Sequence, residues 1–206
     1  MSKKVYLFST SSHPDAISVN SLDITLLKPE IDFGRYDYFI ITSKQSSIAL
    51  EQYSKDILKP ALCISEATAT SYEKIGGKVL DIGSGYGDTL ISKIKQYSKS
   101  TRWLYLRAKV IASSFSQDAK KDGYDIDECI LYESECSSSI QNVKVEEDAI
   151  LIFTSPSSVK CFLKNNSIHE KSRVLVIGTT TAKALPENIC YEISRDPTIK
   201  SCFNLI

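Results

Sequence analysis

Histidine is nearly absent: His13 and His169 are the only two in 206 residues. Each lies in a polar, loop-like setting, and neither has the spacing of a metal ligand or a catalytic triad, which sets histidine catalysis and metal chemistry aside. No apolar stretch approaches the length of a membrane span, and the N-terminus lacks the unbroken apolar core of a secretory signal. The expectation is a cytoplasmic protein without a membrane partner. No charge is in excess, with Lys plus Arg and Asp plus Glu both at 25, so no nucleic-acid partner is expected either. A neutral chain can still hold anions where backbone amides supply the donors. No Cys-x-x-Cys pair occurs among Cys63, Cys129, Cys136, Cys161, Cys190 and Cys202. Several of these lie in apolar runs, and all six are expected as reduced, small hydrophobes.

What the chain does have is one local design used four times. In Arg173 to Leu185, Val174 to Ile177 form a short unbroken apolar run of the kind a strand buried on both faces shows. Gly178 breaks the run, and Thr179, Thr180 and Thr181 lead into a helical pattern with Ala182 and Leu185 on one face. The first N–H groups of such a helix are unpaired and lie at the positive end of its macrodipole, which suits an anion. Tyr38 to Leu50 and Ala149 to Leu163 match each other in pattern when aligned on Thr42-Ser43 and Thr154-Ser155. Ala61 to Gly76 is the fourth copy, where Leu62-Cys63-Ile64 runs into Ser65-Glu66-Ala67-Thr68-Ala69. Both pairings are offset by about 112 positions, and the two turns of each half lie about 23 apart, as in a degenerate internal repeat.

Between these units, Val5 to Phe8 reads as a strand, Pro14 to Val19 as a weak helix and Asp23 to Lys28 as a strand that Pro29 ends. Val79 to Ile82 is a strand, Asp88 caps a helix to about Tyr97, Trp103 to Arg107 is a strand and Ile111 to Lys121 a helix. Cys129 to Cys136 alternates like a strand, Cys190 to Ile193 is a last short one, and Pro197 to Leu205 closes as a helix. Strands alternating with helices imply α/β architecture: two Rossmann- or flavodoxin-like parallel sheets of roughly five strands each. The strands outside the repeats are where the chain can cross between halves. The expected organisation is a discontinuous domain of residues 1–22 and 137–206, an inserted domain of 31–128, and linker strands at 23–30 and 129–136.

Phe153-Thr154-Ser155-Pro156-Ser157, Ile177-Gly178-Thr179-Thr180-Thr181-Ala182 and Pro197-Thr198, in that order and spacing, resemble the motifs of the uroporphyrinogen-III synthase family. The resemblance runs nearly end to end, and the order of the short motifs is its specific part. The chain departs from the family pattern in four places. Lys44 stands where the first Thr-Ser-Pro would have proline, Ser65-Glu66 replace a glycine and its neighbour, Thr179 replaces a common proline, and no arginine follows the first strand at Ser9-Thr10.

The resemblance implies two α/β domains joined by a pair of strands and a cofactor-free reaction on hydroxymethylbilane, a linear tetrapyrrole bearing acetate and propionate groups. It implies that the substrate lies between the domains, held largely by main-chain amides at the loop-to-helix turns. Thr42, Ser43, Lys44, Ser65, Thr68, Ser155, Pro156, Ser157, Gly178, Thr179, Thr180 and Thr181 are then the substrate-binding candidates. For about half of the hydroxyls, helix N-capping is a sufficient account. The family reaction loses a hydroxyl to give an azafulvene, closes through a spiro intermediate and inverts the last ring, and no metal takes part. Its favoured hydrogen-bond donor falls on Tyr132, which by alternation shares a face with Ile130 and Ser134. A strand-stabilising aromatic accounts for Tyr132 equally well. A monomer, with transient hand-over from hydroxymethylbilane synthase, is the expected state.

Two other readings stand beside this one. Val79 to Asp88, Val-Leu-Asp-Ile-Gly-Ser-Gly-Tyr-Gly-Asp, looks locally like the glycine motif of S-adenosylmethionine-dependent methyltransferases. The next strand, however, ends in basic Arg107 where such enzymes usually place an acid. The second alternative is a non-enzymatic two-lobed protein that clamps a small anion.

Overall fold

The structure, a computed structural model, describes residues 3–111 and 113–206. Contacts divide the chain into two compact units, one of Met1–Asp23 with Glu135–Ile206 and one of Ile24–Ser134. In chain order the elements begin with β1 (Val5–Ser9), β2 (Ile17–Asn20), β3 (Leu22–Leu26), β4 (Tyr38–Ile41), α1 (Lys44–Leu50), β5 (Ala61–Cys63) and α2 (Glu66–Lys74). They continue with β6 (Val79–Ile82), α3 (Gly87–Ile94), β7 (Trp103–Ala108), α4 (Phe115–Lys121), β8 (Ile126–Cys136) and α5 (Ser138–Gln141). The last are β9 (Ile150–Phe153), α6 (Pro156–Leu163), β10 (Arg173–Val176), α7 (Thr179–Ala182), β11 (Tyr191–Ile193) and α8 (Ile199–Phe203). The unit boundaries fall inside β3 and β8.

The first unit is a five-stranded sheet in the order β11-β10-β9-β1-β2, every pair parallel. The unbroken apolar runs of its central strands follow from burial on both faces. Leu151 and Phe153 point into a cluster with Val159 and Phe162 of α6, while Ile150 and Ile152 point into another with Cys202 of α8. Phe8, Phe153 and Phe162 form the aromatic centre of the first cluster, with ring centroids 4.8 to 5.5 Å apart.

The second unit is a six-stranded sheet in the order β3-β8-β7-β4-β5-β6. Phe39 and Ile41 face the cluster beneath α1 and α2, and Ile40 faces the one beneath α3 and α4. The repeated turns thus occupy equivalent places, at the C-terminal ends of β4 and β5 in one sheet and of β9 and β10 in the other.

Several local expectations are corrected. Pro14 to Val19 is not a helix: β-branched Ile17 and Val19 belong to β2, which pairs with β1 from Tyr6↔Ile17 to Ser9↔Asn20. A single turn of helix has too few hydrogen bonds to compete with that ladder. Asp88 sits inside the first turn of α3, whose N-cap is Tyr86. The helix expected from Ile111 begins at Phe115, and Ala112 lies outside the described residues. The cysteines are not all reduced: Cys136, at the end of β8, is bonded to Cys161 of α6, with Cα atoms 5.3 Å apart. Packing of α6 brings the two into the range a disulfide spans, which a separation of 25 residues gave no means of foreseeing. Cys63, Cys129, Cys190 and Cys202 are free.

Candidate active site

Strand order positions the site. From β4 the chain steps outward to β5 and β6, then returns to the other side of β4 for β7 and β8. The connections therefore diverge between β4 and β7, leaving a crevice outside the carboxyl ends of those strands, the usual ligand position in an open parallel sheet. A cavity of about 210 Å³ lies there, lined by Thr42 and Ser43 after β4, Tyr105 and Ala108 of β7, Phe115 of α4 and Tyr132 of β8. Ile64, Val110, Ile111 and Ser113 complete its wall. It is smaller than the pockets that enclose whole drug-sized ligands, so it suits one ring or substituent of a longer molecule.

Tyr132 reaches this cavity through a β-bulge. Arg107 pairs with Ile130 but Ala108 pairs with Tyr132, so β8 carries one extra residue against β7. Leu131 and Tyr132 consequently pack into the same cluster, with Cys129 against it. The simple alternation that groups Tyr132 with Ile130 is interrupted there, and the aromatic side chain is re-aimed at the strand end. Tyr132 is 7 % exposed. Burial pushes its phenol pKa up and the Ser43 hydroxyl beside it partly opposes the rise, so the group stays protonated at neutral pH.

Tyr105, across the cavity, shares a hydrogen bond of 3.0 Å with the Thr42 hydroxyl. Its pKa is raised as well, by burial first, with the Thr42 bond opposing and the neighbouring Tyr132 adding to the rise. The site therefore offers two adjacent neutral phenols. Sequence reasoning missed Tyr105. The only available signal was its place two residues before the end of a strand already recognised.

The remaining candidates divide between caps and free amides. Ser43 caps α1 by accepting from the Gln45 N–H, leaving the amide of exposed Lys44 open. Ser65 and Thr68 hydrogen-bond each other at 3.2 Å and lie outside the cavity lining, with acidic Glu66 in the first turn of α2. In the other unit Ser155 forms a reciprocal capping box with Ser158, and Pro156 has no N–H. That turn thus presents the Ser157 amide alone. The turn at Gly178 has no side-chain cap: the Thr181 and Ala182 amides bond the Gly178 carbonyl, while Thr179 and Thr180 are exposed and their amides have no acceptor among the described residues. Thr181 itself is buried.

The glycine loop after β6 has a structural explanation. Gly85 sits at φ +95°, and a side chain at Gly83 would come within 2.9 Å of the Ile64 carbonyl oxygen. Thr89 ties the loop together, accepting from the Ser84 N–H and donating to the Tyr86 carbonyl. Asp81 of β6 is engaged by Lys93 at 2.5 Å. Among the described residues no cluster of three or more His, Cys, Asp or Glu could hold a metal, and no helix is long and apolar enough to cross a membrane.

Two α/β units built on parallel strands, each ending its strands in polar turns, with two buried phenols at the switch point of one sheet, define an α/β class with a pocket for part of a small molecule. Within that class, a profile of the uroporphyrinogen-III synthase HemD family matches residues 15–204, and the chain belongs to this family. The fold is similar over 99 % of the chain to the crystal structure of uroporphyrinogen-III synthetase from Helicobacter pylori 26695, covering 98 % of that protein at 26 % identity with a TM-score of 0.83. A mutant uroporphyrinogen III synthase from the extremely thermophilic bacterium Thermus thermophilus shares the fold at a TM-score of 0.62 and 13 % identity, over 98 % of this chain and 96 % of that one. No curated protein matches the chain.

Proposed function

We propose that the chain carries out its family's reaction, cyclising hydroxymethylbilane to uroporphyrinogen III with loss of water and inversion of the last ring, and that Tyr132 is the hydrogen-bond donor to the departing hydroxyl. The observation that carries this reading is the placement of a buried, protonated phenol beside Thr42 and Ser43 in a cavity at the switch point. A neutral phenol can donate as the carbon–oxygen bond breaks, whereas a phenolate could not. The cavity size suits the reacting end of the linear substrate rather than its whole length.

The substrate's carboxylates are assigned to the free amides at Lys44, Ser157, Thr179 and Thr180 and to the hydroxyls of Thr42 and Thr180, while Ser65, buried Thr68, Gly178 and Thr181 shape the turns. Ser43 and Ser155 act chiefly as caps. Most of the rate advantage then comes from holding a flexible chain in one reactive geometry. The enzyme acts in this reading as a cytoplasmic monomer that receives its substrate from hydroxymethylbilane synthase, without cofactor.

The test is an isomer assay: generate hydroxymethylbilane in situ, oxidise the products and separate type I from type III uroporphyrin. The wild type should shift the product to type III in proportion to its concentration. Tyr132→Phe should lower turnover by roughly 10²-fold or more, the usual worth of a positioned acid. Type I alone from a folded wild type would refute the activity; an unchanged turnover number in Tyr132→Phe would remove that residue from the mechanism.

A further inference from the structure

The bulge that aims Tyr132 is held by an ion pair that the reaction itself does not use. Arg107, on β7, donates from Nε to Glu128 Oε2 at 2.7 Å and from Nη1 to the carbonyl oxygens of Ala108 at 2.7 Å and Lys109 at 3.0 Å. Both partners of the pair are largely buried, with side-chain exposures of 17 % and 16 %. Glu128 takes a second contact from Lys120 at 3.3 Å, so its carboxylate is fixed from two sides.

The carbonyls that Arg107 grips belong to the segment where β7 leaves the sheet, and that segment forms the cavity wall through Ala108, Val110 and Ile111. Lys109 makes the connection to the donor. Its carbonyl is bound by Arg107, and its N–H donates to the Tyr132 carbonyl at 2.9 Å, one residue beyond the register shift. One guanidinium thus fixes both the cavity wall and the backbone from which the Tyr132 side chain projects.

We propose that Arg107 is a positioning residue, a clamp anchored on Glu128 that holds the bulged end of β8 so that Tyr132 presents its hydroxyl to the substrate. This rests on the role given to Tyr132 above. The geometry requires arginine. A planar fork can satisfy a carboxylate and two carbonyls at once, whereas a lysine ammonium is a compact charge on a flexible stem that keeps the ion pair and loses the fixed carbonyl contacts. Arg107→Lys therefore separates charge from positioning.

The experiment is a double-mutant cycle in the isomer assay on wild type, Arg107→Lys, Tyr132→Phe and the double variant, with thermal midpoints measured on each. Arg107→Lys should lower kcat between about tenfold and hundredfold, the range a displacement near 1 Å produces, with KM changed less than about twofold. In the Tyr132→Phe background the same substitution should cost nothing further, because the group it positions is gone. Where Arg107→Lys fails to fold, Glu128→Gln, which removes the anchor's charge and keeps its shape, takes its place in the cycle. Full activity in Arg107→Lys beside a slow Tyr132→Phe overturns the clamp alone. Losses that multiply in the double variant overturn it too, since Arg107 then acts independently of Tyr132. An unchanged Tyr132→Phe overturns both the clamp and the assignment of the donor.

Discussion

Reducing the Cys136–Cys161 bond should destabilise one unit of this protein and leave the other as it was. Both cysteines belong to the unit of Met1–Asp23 and Glu135–Ile206, where the bond ties the end of β8 to α6. With a sequence separation of 25, the loop-closure entropy removed from the unfolded chain corresponds to about 3.5 kcal/mol at 25 °C. For a urea m-value of about 2 kcal/mol/M, the midpoint of that unit's transition falls by a little under about 2 M on reduction. The assay has two parts. Thiol titration in denaturant should count the four free cysteines in the oxidised protein, and all six after dithiol treatment. Urea unfolding, followed in both states, should show the shift, and Cys136→Ser should unfold like the reduced protein whether or not reductant is present. Six titratable thiols in protein kept oxidised, or coincident midpoints with and without reductant, would refute the reasoning. If the proposed cytoplasmic location holds, the reduced form is the relevant one, since thiol pools there keep most such bonds open.

Three further outcomes are expected. Ser155→Ala breaks the capping box of α6 and should cost about 1 kcal/mol in thermal unfolding. KM should rise less than about twofold if capping is its main task; a larger increase would return the hydroxyl to the substrate. Burial alone would raise the Glu128 pKa, but Ser116, Lys120 and Arg107 outweigh it and hold it below the usual carboxylate range. Its stabilisation is then complete above the unfolded value of about 4.3 and is lost as pH falls through the depressed folded value. Glu128→Gln should therefore be less stable at pH 7 and lose less than the wild type on acidification, and parallel midpoint-against-pH curves would contradict this. Tyr72→Phe removes a 2.6 Å hydrogen bond to the Lys59 carbonyl at a fully buried position and should cost about 1 kcal/mol, read by denaturant unfolding.

The repeated turns are legible in the sequence because each is local. An unbroken apolar run followed by Thr-Ser or Gly-Thr says strand, turn and helix whatever surrounds it, and β4-α1, β5-α2, β9-α6 and β10-α7 lie where the repeats place them. β2 reads wrongly because its strand character comes from pairing with β1, a contact that residues 14–19 do not contain. Tyr132 is reached through the family resemblance and its strand through alternation, but the bulge that aims it is not visible in the sequence. A bulge is a mismatch between two strands, and β8 alone does not say where β7 slips against it. Tyr105 and Arg107 escape notice as site residues for the same reason: one looks like a core aromatic and the other like the basic end of a strand. Cys136 and Cys161 read as ordinary small hydrophobes until α6 is seen packed beside the end of β8.

By itself the sequence determined the α/β class, the twofold repeat, the balance of charge and the family. These depend on periodicity, composition and short motifs, which are properties of neighbours along the chain. Only the tertiary structure decided which turns leave amides free, that Thr42, Ser43, Tyr105 and Tyr132 share one cavity, and that a guanidinium on β7 bonds the Ala108 and Lys109 carbonyls beside it. Those facts arise where strands distant in sequence meet at one end of a sheet, and register, burial and hydrogen-bond satisfaction are settled there only once both partners are in place.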